Sequence, residues 1–142
     1  MNRISKFRVA FLLSVLSVAG FIVLLREHRP SFLRPDVHSN AYVTTADGLV
    51  SVVDLVKNAT VARISVGPDA SDLRSHPTRN EIWGVSPTGG YVWVLDATNN
   101  SIKTKIPTGG APQSIDFSPD AKLAYTASSA GNSLLAIDCA TK

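Results

Sequence analysis

Residues 91–96, Tyr-Val-Trp-Val-Leu-Asp, form a short run of β-branched and aromatic residues that ends in an aspartate. The run returns 42 residues earlier as Leu-Val-Ser-Val-Val-Asp at 49–54, and 42 residues later as Ser-Leu-Leu-Ala-Ile-Asp at 133–138. Each copy follows a turn that contains glycine, and runs bounded in this way are typical of β-strands. The stretch therefore predicts one strand that occurs three times.

The 42-residue spacing also relates positions outside these strands. The matches include Asn58 with Asn100, Ile64 with Ile106, Gly67 with Gly109, and the series Pro35, Pro77 and Pro119. Periods of roughly 20 to 50 residues indicate solenoids or propellers. Because no stretch after residue 25 shows the helical spacing of apolar residues, the repeated unit is predicted to be all-β.

Four strands are predicted in the middle repeat, at 73–76, 81–86, 91–96 and 101–107. The repeat before it predicts strands at 40–45, 49–54 and 59–66, with a weaker inner strand near 31–34, and the repeat after it predicts 113–117, 123–128 and 133–138. Four short antiparallel strands per repeat are typical of a propeller blade. We expect a partial β-propeller over residues 30–142, with repeats of about 30–67, 68–109 and 110–142.

An uncharged, strongly apolar run, 9–25, follows the basic residues Arg3, Lys6 and Arg8 and precedes Arg26. Such a run predicts a hydrophobic helix that exports the rest of the chain, so residues 1–29 are a signal peptide or a signal anchor. Ser17-Val18-Ala19 offers a cleavage site, but apolar residues continue beyond it, and both alternatives stay open. The expected location is periplasmic or at the cell surface, either membrane-anchored or secreted.

The net charge of +3 resides in the N-terminal tip, because the chain from residue 26 onward carries 11 basic and 11 acidic side chains. Nucleic-acid binding needs clustered surplus cations, so this class of function is not expected. The single cysteine, Cys139, permits no internal disulfide, and no motif for a metal, a nucleotide or another cofactor occurs. No catalytic constellation is expected either.

Aspartates that recur at one spacing are candidates for a metal site or an acid–base site. Each of Asp54, Asp96 and Asp138 ends a strand before a turn, where an aspartate accepts hydrogen bonds from nearby backbone N–H groups. We therefore predict structural roles for them in the turns. Gly67 and Gly109 are predicted to provide unusual backbone angles where one repeat passes to the next.

Residues 67–77 are the most polar and least repeat-like part of the repeats. In propellers, the loop that enters the innermost strand helps line the mouth of the central channel. The residues predicted to face a ligand there are Asp69, Asp72, Arg74 and His76. Plain solvation of this loop is the alternative.

Several segments resemble the YVTN-type β-propeller repeats of secreted and surface-attached prokaryotic proteins. The segments that carry the resemblance are Ala41-Tyr-Val-Thr-Thr45, the strand ends at Asp54, Asp96 and Asp138, Ala97-Thr-Asn-Asn100, and Phe117-Ser-Pro-Asp120. The second repeat departs from the signature at Trp83-Gly84, and the third at Tyr125-Thr-Ala. The resemblance covers residues 38–142 and implies about seven blades, so we expect the sequence to be a fragment of a longer propeller.

Three functions follow as expectations. The first is an extracytoplasmic, non-catalytic binding or scaffold module for a protein, a polysaccharide or a small ligand. The second is a propeller enzyme or dehydrogenase-associated subunit of the lactonase-like or quinoprotein-like kind, which fold analogy alone supports. The third is a nonfunctional truncated product. Self-association that closes the propeller is an alternative to the fragment.

Overall fold

The computed structural model describes residues 39–142. Its strands are β1 (Asn40–Thr44), β2 (Leu49–Asp54), β3 (Ala59–Ser65), β4 (Leu73–Ser75), β5 (Glu81–Ser86), β6 (Tyr91–Asp96), β7 (Ser101–Pro107), β8 (Pro112–Phe117), β9 (Leu123–Ser128) and β10 (Ser133–Asp138). The predicted hydrophobic helix at 9–25 and the predicted strand at 31–34 lie outside the described residues. Within 39–142 the chain forms no helix, and thus none that could cross a membrane.

The strands form three antiparallel sheets, each built from consecutive segments. The first sheet has the order β1-β2-β3, the second β4-β5-β6-β7, and the third β8-β9-β10. The predicted all-β, antiparallel fold is confirmed for the described residues. β4 ends one residue earlier than predicted, at Ser75, and β8 begins one residue earlier, at Pro112.

Turns between the strands recur with the repeat. Gly48, Gly90 and Asn132 hold equivalent positions in the three repeats and have φ values of 79°, 70° and 45° in the turns before β2, β6 and β10. Asn58 and Asn100 have φ values of 51° and 57° in the turns before β3 and β7. Glycine and asparagine tolerate this left-handed region best, so the turn residues explain why the strands end where they do.

Two apolar clusters join the sheets. One lies between the first and second sheets and contains Val50, Val66, Ala70, Ile82, Trp93 and Leu95. The other lies between the second and third sheets and contains Trp83, Val85, Val92, Val94, Ile115, Ala124 and Cys139. Alternate side chains of β5 and β6 enter opposite clusters, so the second sheet is buried on both faces.

Gly84 on β5 has a specific packing role. It pairs with Trp93 on β6, and the indole of Trp93 covers the face of Gly84 that a side chain would occupy. A Cβ atom placed on Gly84 would lie 2.1 Å from Cζ2 of Trp93. The departure from the repeat signature at this position therefore makes room for a large residue on the neighbouring strand.

Candidate functional site

A cleft of about 720 Å³ opens between the first and second sheets. Its polar lining includes Asn40, Tyr42 and Lys57 from the first sheet and Arg79, Asn80 and Glu81 from the second. These residues lie at the start of β1 and β5 and in the turns between strands, because the sheets bring equivalent ends of their strands together.

Tyr42 bridges the two walls of the cleft. Its hydroxyl donates a hydrogen bond of 2.8 Å to Oδ1 of Asn100 in the turn before β7. Burial is the main cause that raises the pKa of the Tyr42 hydroxyl, so the phenol is neutral and acts as a donor. Because Oδ1 of Asn100 is occupied, its amide nitrogen is the group left to donate.

Glu81 is buried and fully engaged. Its Oε1 accepts hydrogen bonds from Nζ of Lys103 at 2.7 Å and from Nζ of Lys142 at 3.0 Å, and its Oε2 accepts one from the Trp83 indole at 3.0 Å. Burial disfavours the ionised form, but these donors outweigh it and lower the pKa of Glu81 to about 2. Glu81 is therefore a permanent carboxylate at neutral pH.

The other carboxylate of the cleft, Asp54, is engaged in the same complete way. Its Oδ1 accepts hydrogen bonds of 2.9 Å from the backbone N–H groups of Val56 and Lys57, and its Oδ2 lies 3.2 Å from Nζ of Lys57. The backbone hydrogen bond from Lys57 is the largest cause of a lowered pKa. Asp54 thus stabilises the turn before β3 and is not free to take part in a reaction in the cleft.

The other repeated aspartates act in the same manner. Asp96 accepts a hydrogen bond from the backbone N–H of Thr98 at 2.8 Å. Asp138 accepts such bonds from Ala140 at 2.7 Å and from Thr141 at 3.2 Å. Hydrogen bonds from these backbone donors lower the pKa of both carboxyls.

The two glycines at the passage between repeats both have positive φ, 122° at Gly67 and 66° at Gly109. At Gly67 a Cβ atom would lie 1.7 Å from the hydroxyl of Tyr91, which donates to the carbonyl of Val66. At Gly109 no atom lies within 4 Å of such a Cβ, so the backbone angle alone favours glycine there.

The four residues predicted to face a ligand do not line the cleft. Asp72 and Arg74 are joined by an ion pair of 2.8 Å, and Asp72 also accepts a hydrogen bond from the third sheet. Asp69, with φ of 57°, accepts a hydrogen bond from the hydroxyl of Thr88. That Asp69, Asp72 and Arg74 face a ligand at this end of the sheets stays a prediction.

His76 lies inside the protein, with 3% of its surface exposed. Its ring packs edge-on against Phe117 with centroids 4.8 Å apart, and its Nδ1 accepts hydrogen bonds from the N–H groups of Thr78 and Arg79. Burial is the largest cause that lowers the pKa of His76. Side chains alternate along β4, so Leu73 and Ser75 reach the cleft instead.

Sequence reasoning missed the network around Glu81. Its partner Lys142 is 61 residues away, and the Arg79 guanidinium donates to the carbonyl of Cys139, 60 residues away. The one available signal was a glutamate at the first position of a mostly apolar, buried strand. Within 39–142, no three His, Cys, Asp or Glu side chains are grouped so that they could hold a metal ion.

Solved structures resemble this fold. One is hydrazine synthase from Kuenenia stuttgartiensis, with a TM-score of 0.67 and 20% identity over 79% of this chain and 36% of that chain. Another is the dihydro-heme d1 dehydrogenase NirN in complex with DHE, with a TM-score of 0.64 and 18% identity over 78% of this chain and 24% of that chain. Both are β-propeller proteins. Their likeness supports a β-propeller fold for the three sheets.

The chain spans about a third and a quarter of the lengths of these two proteins. No protein-family model matches the sequence. No curated protein matches it either. At this level of identity the likeness concerns the fold alone.

Proposed function

We propose that the chain is a YVTN-type propeller module, located outside the cytoplasm, that binds a ligand without catalysing a reaction. The cleft between the first two sheets is its binding site in this proposal. The sequence of residues 1–29 supports export, and the repeated segments support the YVTN assignment. The cleft supports the binding role.

The observation that carries the binding role is the saturation of both cleft carboxylates. Asp54 and Glu81 have their oxygens occupied by protein donors, and Glu81 has a pKa of about 2. A general acid or base works best with a pKa near the operating pH. The cleft is therefore better equipped for hydrogen bonding than for proton transfer.

The groups left free in the cleft define the class of ligand. The amides of Asn40 and Asn80 can donate and accept hydrogen bonds, the amide nitrogen of Asn100 can donate them, and Tyr42 supplies an aromatic ring to the lining. Such a lining suits a ligand rich in hydroxyl groups. Among the expected ligands, a polysaccharide fits best.

Titration calorimetry of the full chain with a neutral cello-oligosaccharide and an acidic oligogalacturonate tests this proposal. We expect Asn80→Ala to weaken the binding of one of them at least tenfold with unchanged thermal stability, because Asn80 is exposed in the cleft. Lys122→Ala is the control, since Lys122 is exposed outside the cleft. Absence of binding to both sugars, or an equal loss in both variants, would overturn the proposal.

Export has its own test. In cells that make the full chain, protease added to spheroplasts should digest residues 39–142 if they lie outside the cytoplasm. A cytoplasmic control protein should survive the same treatment. Protection of the chain would contradict the proposed location.

A second candidate is a unit of a propeller enzyme. The observation that favours it is the likeness to hydrazine synthase and to NirN, both named for enzymatic activities. The absorption spectrum of the native protein tests this candidate, because a bound haem or quinone would absorb at longer wavelengths than the aromatic side chains of the protein. A spectrum with only the protein band would favour the binding module.

A further inference from the structure

The charged side chains that line the cleft differ in what they can still offer to a ligand. They are the carboxylates of Asp54 and Glu81 and the cations of Lys57 and Arg79. Both acidic residues are buried, with 4% and 3% of their surfaces exposed, and each carboxylate oxygen already has a protein donor beside it. A ligand therefore meets no unengaged anionic oxygen on these two residues.

Arg79 is the opposite case. It is exposed in the loop before β5, and its Nη1 donates a hydrogen bond to the carbonyl of Cys139. A guanidinium has five N–H donors. The others make no hydrogen bond to residues 39–142, and the guanidinium forms no ion pair with a carboxylate of that range. Arg79 thus brings to the cleft a positive charge without an anionic partner in the described part of the chain.

Glu81 lies two residues from Arg79 but does not neutralise it. Its Oε1 is shared by the ammonium groups of Lys103 and Lys142, at 2.7 Å and 3.0 Å. Two positive charges therefore already face one negative charge before Arg79 is counted. Asp138, whose pKa Arg79 helps to lower, accepts its hydrogen bonds from the backbone of its own turn. An anion beside Arg79 would be attracted by the guanidinium and by the surplus cation around Glu81.

A second cation lies on the opposite wall of the cleft. Lys57, in the turn before β3, has its ammonium 3.2 Å from Oδ2 of Asp54, and 67% of its side chain is exposed. Ion pairs of such exposed side chains contribute little to stability, so the ammonium can turn to a ligand at a small cost. Both walls can therefore offer cationic donors, whereas the carboxylates of the lining are engaged.

We propose that the ligand of the cleft is an acidic polysaccharide, with a carboxylate on its sugar rings, and that Arg79 selects it. This inference rests on the proposed function, because it names the ligand of the same cleft. The guanidinium offers two parallel N–H groups to the carboxylate, a geometry that gives strong, charge-assisted hydrogen bonds. Sugar hydroxyls bind the exposed amide of Asn80, next to Arg79. A neutral sugar leaves the guanidinium without an anion and binds more weakly.

An acidic peptide would bring similar carboxylates to the same cations. The rest of the lining favours the sugar, because the amide of Asn80 and the aromatic ring of Tyr42 suit a sugar ring with its hydroxyl groups. An acidic peptide is therefore included among the test ligands.

Titration calorimetry of the full chain at low salt tests the inference with three probes. They are an oligogalacturonate, its methyl ester, which keeps the ring hydroxyls but carries no charge, and an oligoglutamate of equal charge. We expect the oligogalacturonate to bind about tenfold more tightly than either of the others, because charge-assisted hydrogen bonds are about twice as strong as neutral ones. Its affinity should fall as salt is added, whereas that of the ester should not.

Arg79→Gln removes the charge but keeps a group that can donate to the carbonyl of Cys139. We expect the affinity for the oligogalacturonate to fall to that of the ester, and the affinity for the ester to stay unchanged. Lys57→Gln, which breaks only one ion pair, should lower the affinity for the oligogalacturonate alone. Arg63→Gln is the matched control, because Arg63 is exposed on β3 outside the cleft, and it should change neither affinity.

Equal binding of the oligogalacturonate and its ester would overturn the inference and leave the cleft as a binding site. This comparison needs no variant, so it decides even where Arg79→Gln does not fold. A preference for the acid that survives Arg79→Gln, or an equal loss in Arg63→Gln, would also overturn it. Equally tight binding of the oligoglutamate would assign the cleft to an acidic peptide instead. Absence of binding to these probes and to the cello-oligosaccharide would be a failure of the proposed function itself.

Discussion

The carboxylate of Asp72 accepts a hydrogen bond of 3.1 Å from the backbone N–H of Ile115, which joins the second sheet to the innermost strand of the third. The other oxygen of Asp72 accepts bonds from the N–H of Leu73 and from the Arg74 guanidinium. Leu73 and Ile115 hold equivalent positions in their repeats. One carboxylate thus accepts hydrogen bonds from equivalent N–H groups at the edges of two inner strands. Without an acceptor, such edge N–H groups could pair with another chain.

Replacing Asp72 by alanine should weaken the contact between these sheets. We expect the free energy of unfolding to fall by about 1–2 kcal/mol, because two backbone donors lose their acceptor. Urea unfolding of the full chain, followed by the fluorescence of the fully buried Trp83 and Trp93, measures the change. Arg74→Ala removes only an exposed ion pair and should cost less than about 0.5 kcal/mol. Equal costs in the two variants would contradict the role of Asp72.

The network around Glu81 predicts a loss of stability in acid. The pKa of Glu81 is lowered to about 2 in the folded protein and rises to about 4.5 on unfolding. Its contribution is therefore complete above the unfolded value and is lost as the pH falls from 4.5 toward 2. A shift of this size corresponds to about 3 kcal/mol at most.

Glu81→Gln isolates this contribution. The variant should be less stable than the parent at pH 7, and the gap between them should close as the pH approaches 2. Unfolding curves at a series of pH values, recorded for both proteins, measure the gap. A gap that stays constant between pH 5 and pH 2.5 would mean that Glu81 does not titrate as the structure requires.

The fold could be predicted from the sequence because its information is local and repeated. The run 91–96 and its two counterparts each combine a strand, its glycine turn and its aspartate turn in one short continuous segment. The strands β2, β5, β6, β7, β9 and β10 accordingly have the predicted bounds. The remaining described strands differ by a single residue at one end.

The contacts between sheets could not be predicted in the same way. Glu81 meets Lys142 across 61 residues, and nothing near either residue indicates the other. The cleft depends on how two sheets are placed, which the period of the sequence does not specify. The polarity of residues 67–77 predicts that His76 faces the mouth of a channel, but in the structure its ring is buried and packs against Phe117.

Gly84→Ala tests the close packing of the second sheet. The new Cβ would lie 2.1 Å from the Trp93 ring, which is completely buried and cannot move aside freely. We expect a loss of about 2 kcal/mol in the free energy of unfolding. Gly131→Ala, where the nearest atom is the Ser133 hydroxyl at 3.0 Å, is the control and should change it by less than about 0.5 kcal/mol. Similar losses in both variants would argue against the packing role.

The aspartate turns should depend on the acceptor oxygen rather than on the charge. Asp96→Asn keeps an oxygen for the N–H of Thr98, and Asp96→Ala removes it. We expect the melting temperature to fall more in the alanine variant than in the asparagine variant, as circular dichroism would show. The reverse order would indicate that the negative charge matters more than the turn hydrogen bond.

His76 predicts a second, milder loss of stability, at higher pH than that of Glu81. Burial, aided by the nearby Arg79, lowers the pKa of His76 below its usual 6.5, although Glu81 opposes this. As the pH falls, His76 therefore binds a proton at a higher pH in the unfolded chain than in the folded protein. Stability should decrease as the pH falls below 6.5. In His76→Phe the slope of stability between pH 7 and pH 5.5 should be flatter, whereas Asp96→Asn should retain the slope of the parent, because Asp96 does not contribute to the pKa of His76. An unchanged slope in His76→Phe would mean that His76 is free to take up a proton in the folded protein, as a residue facing solvent at a channel mouth would be.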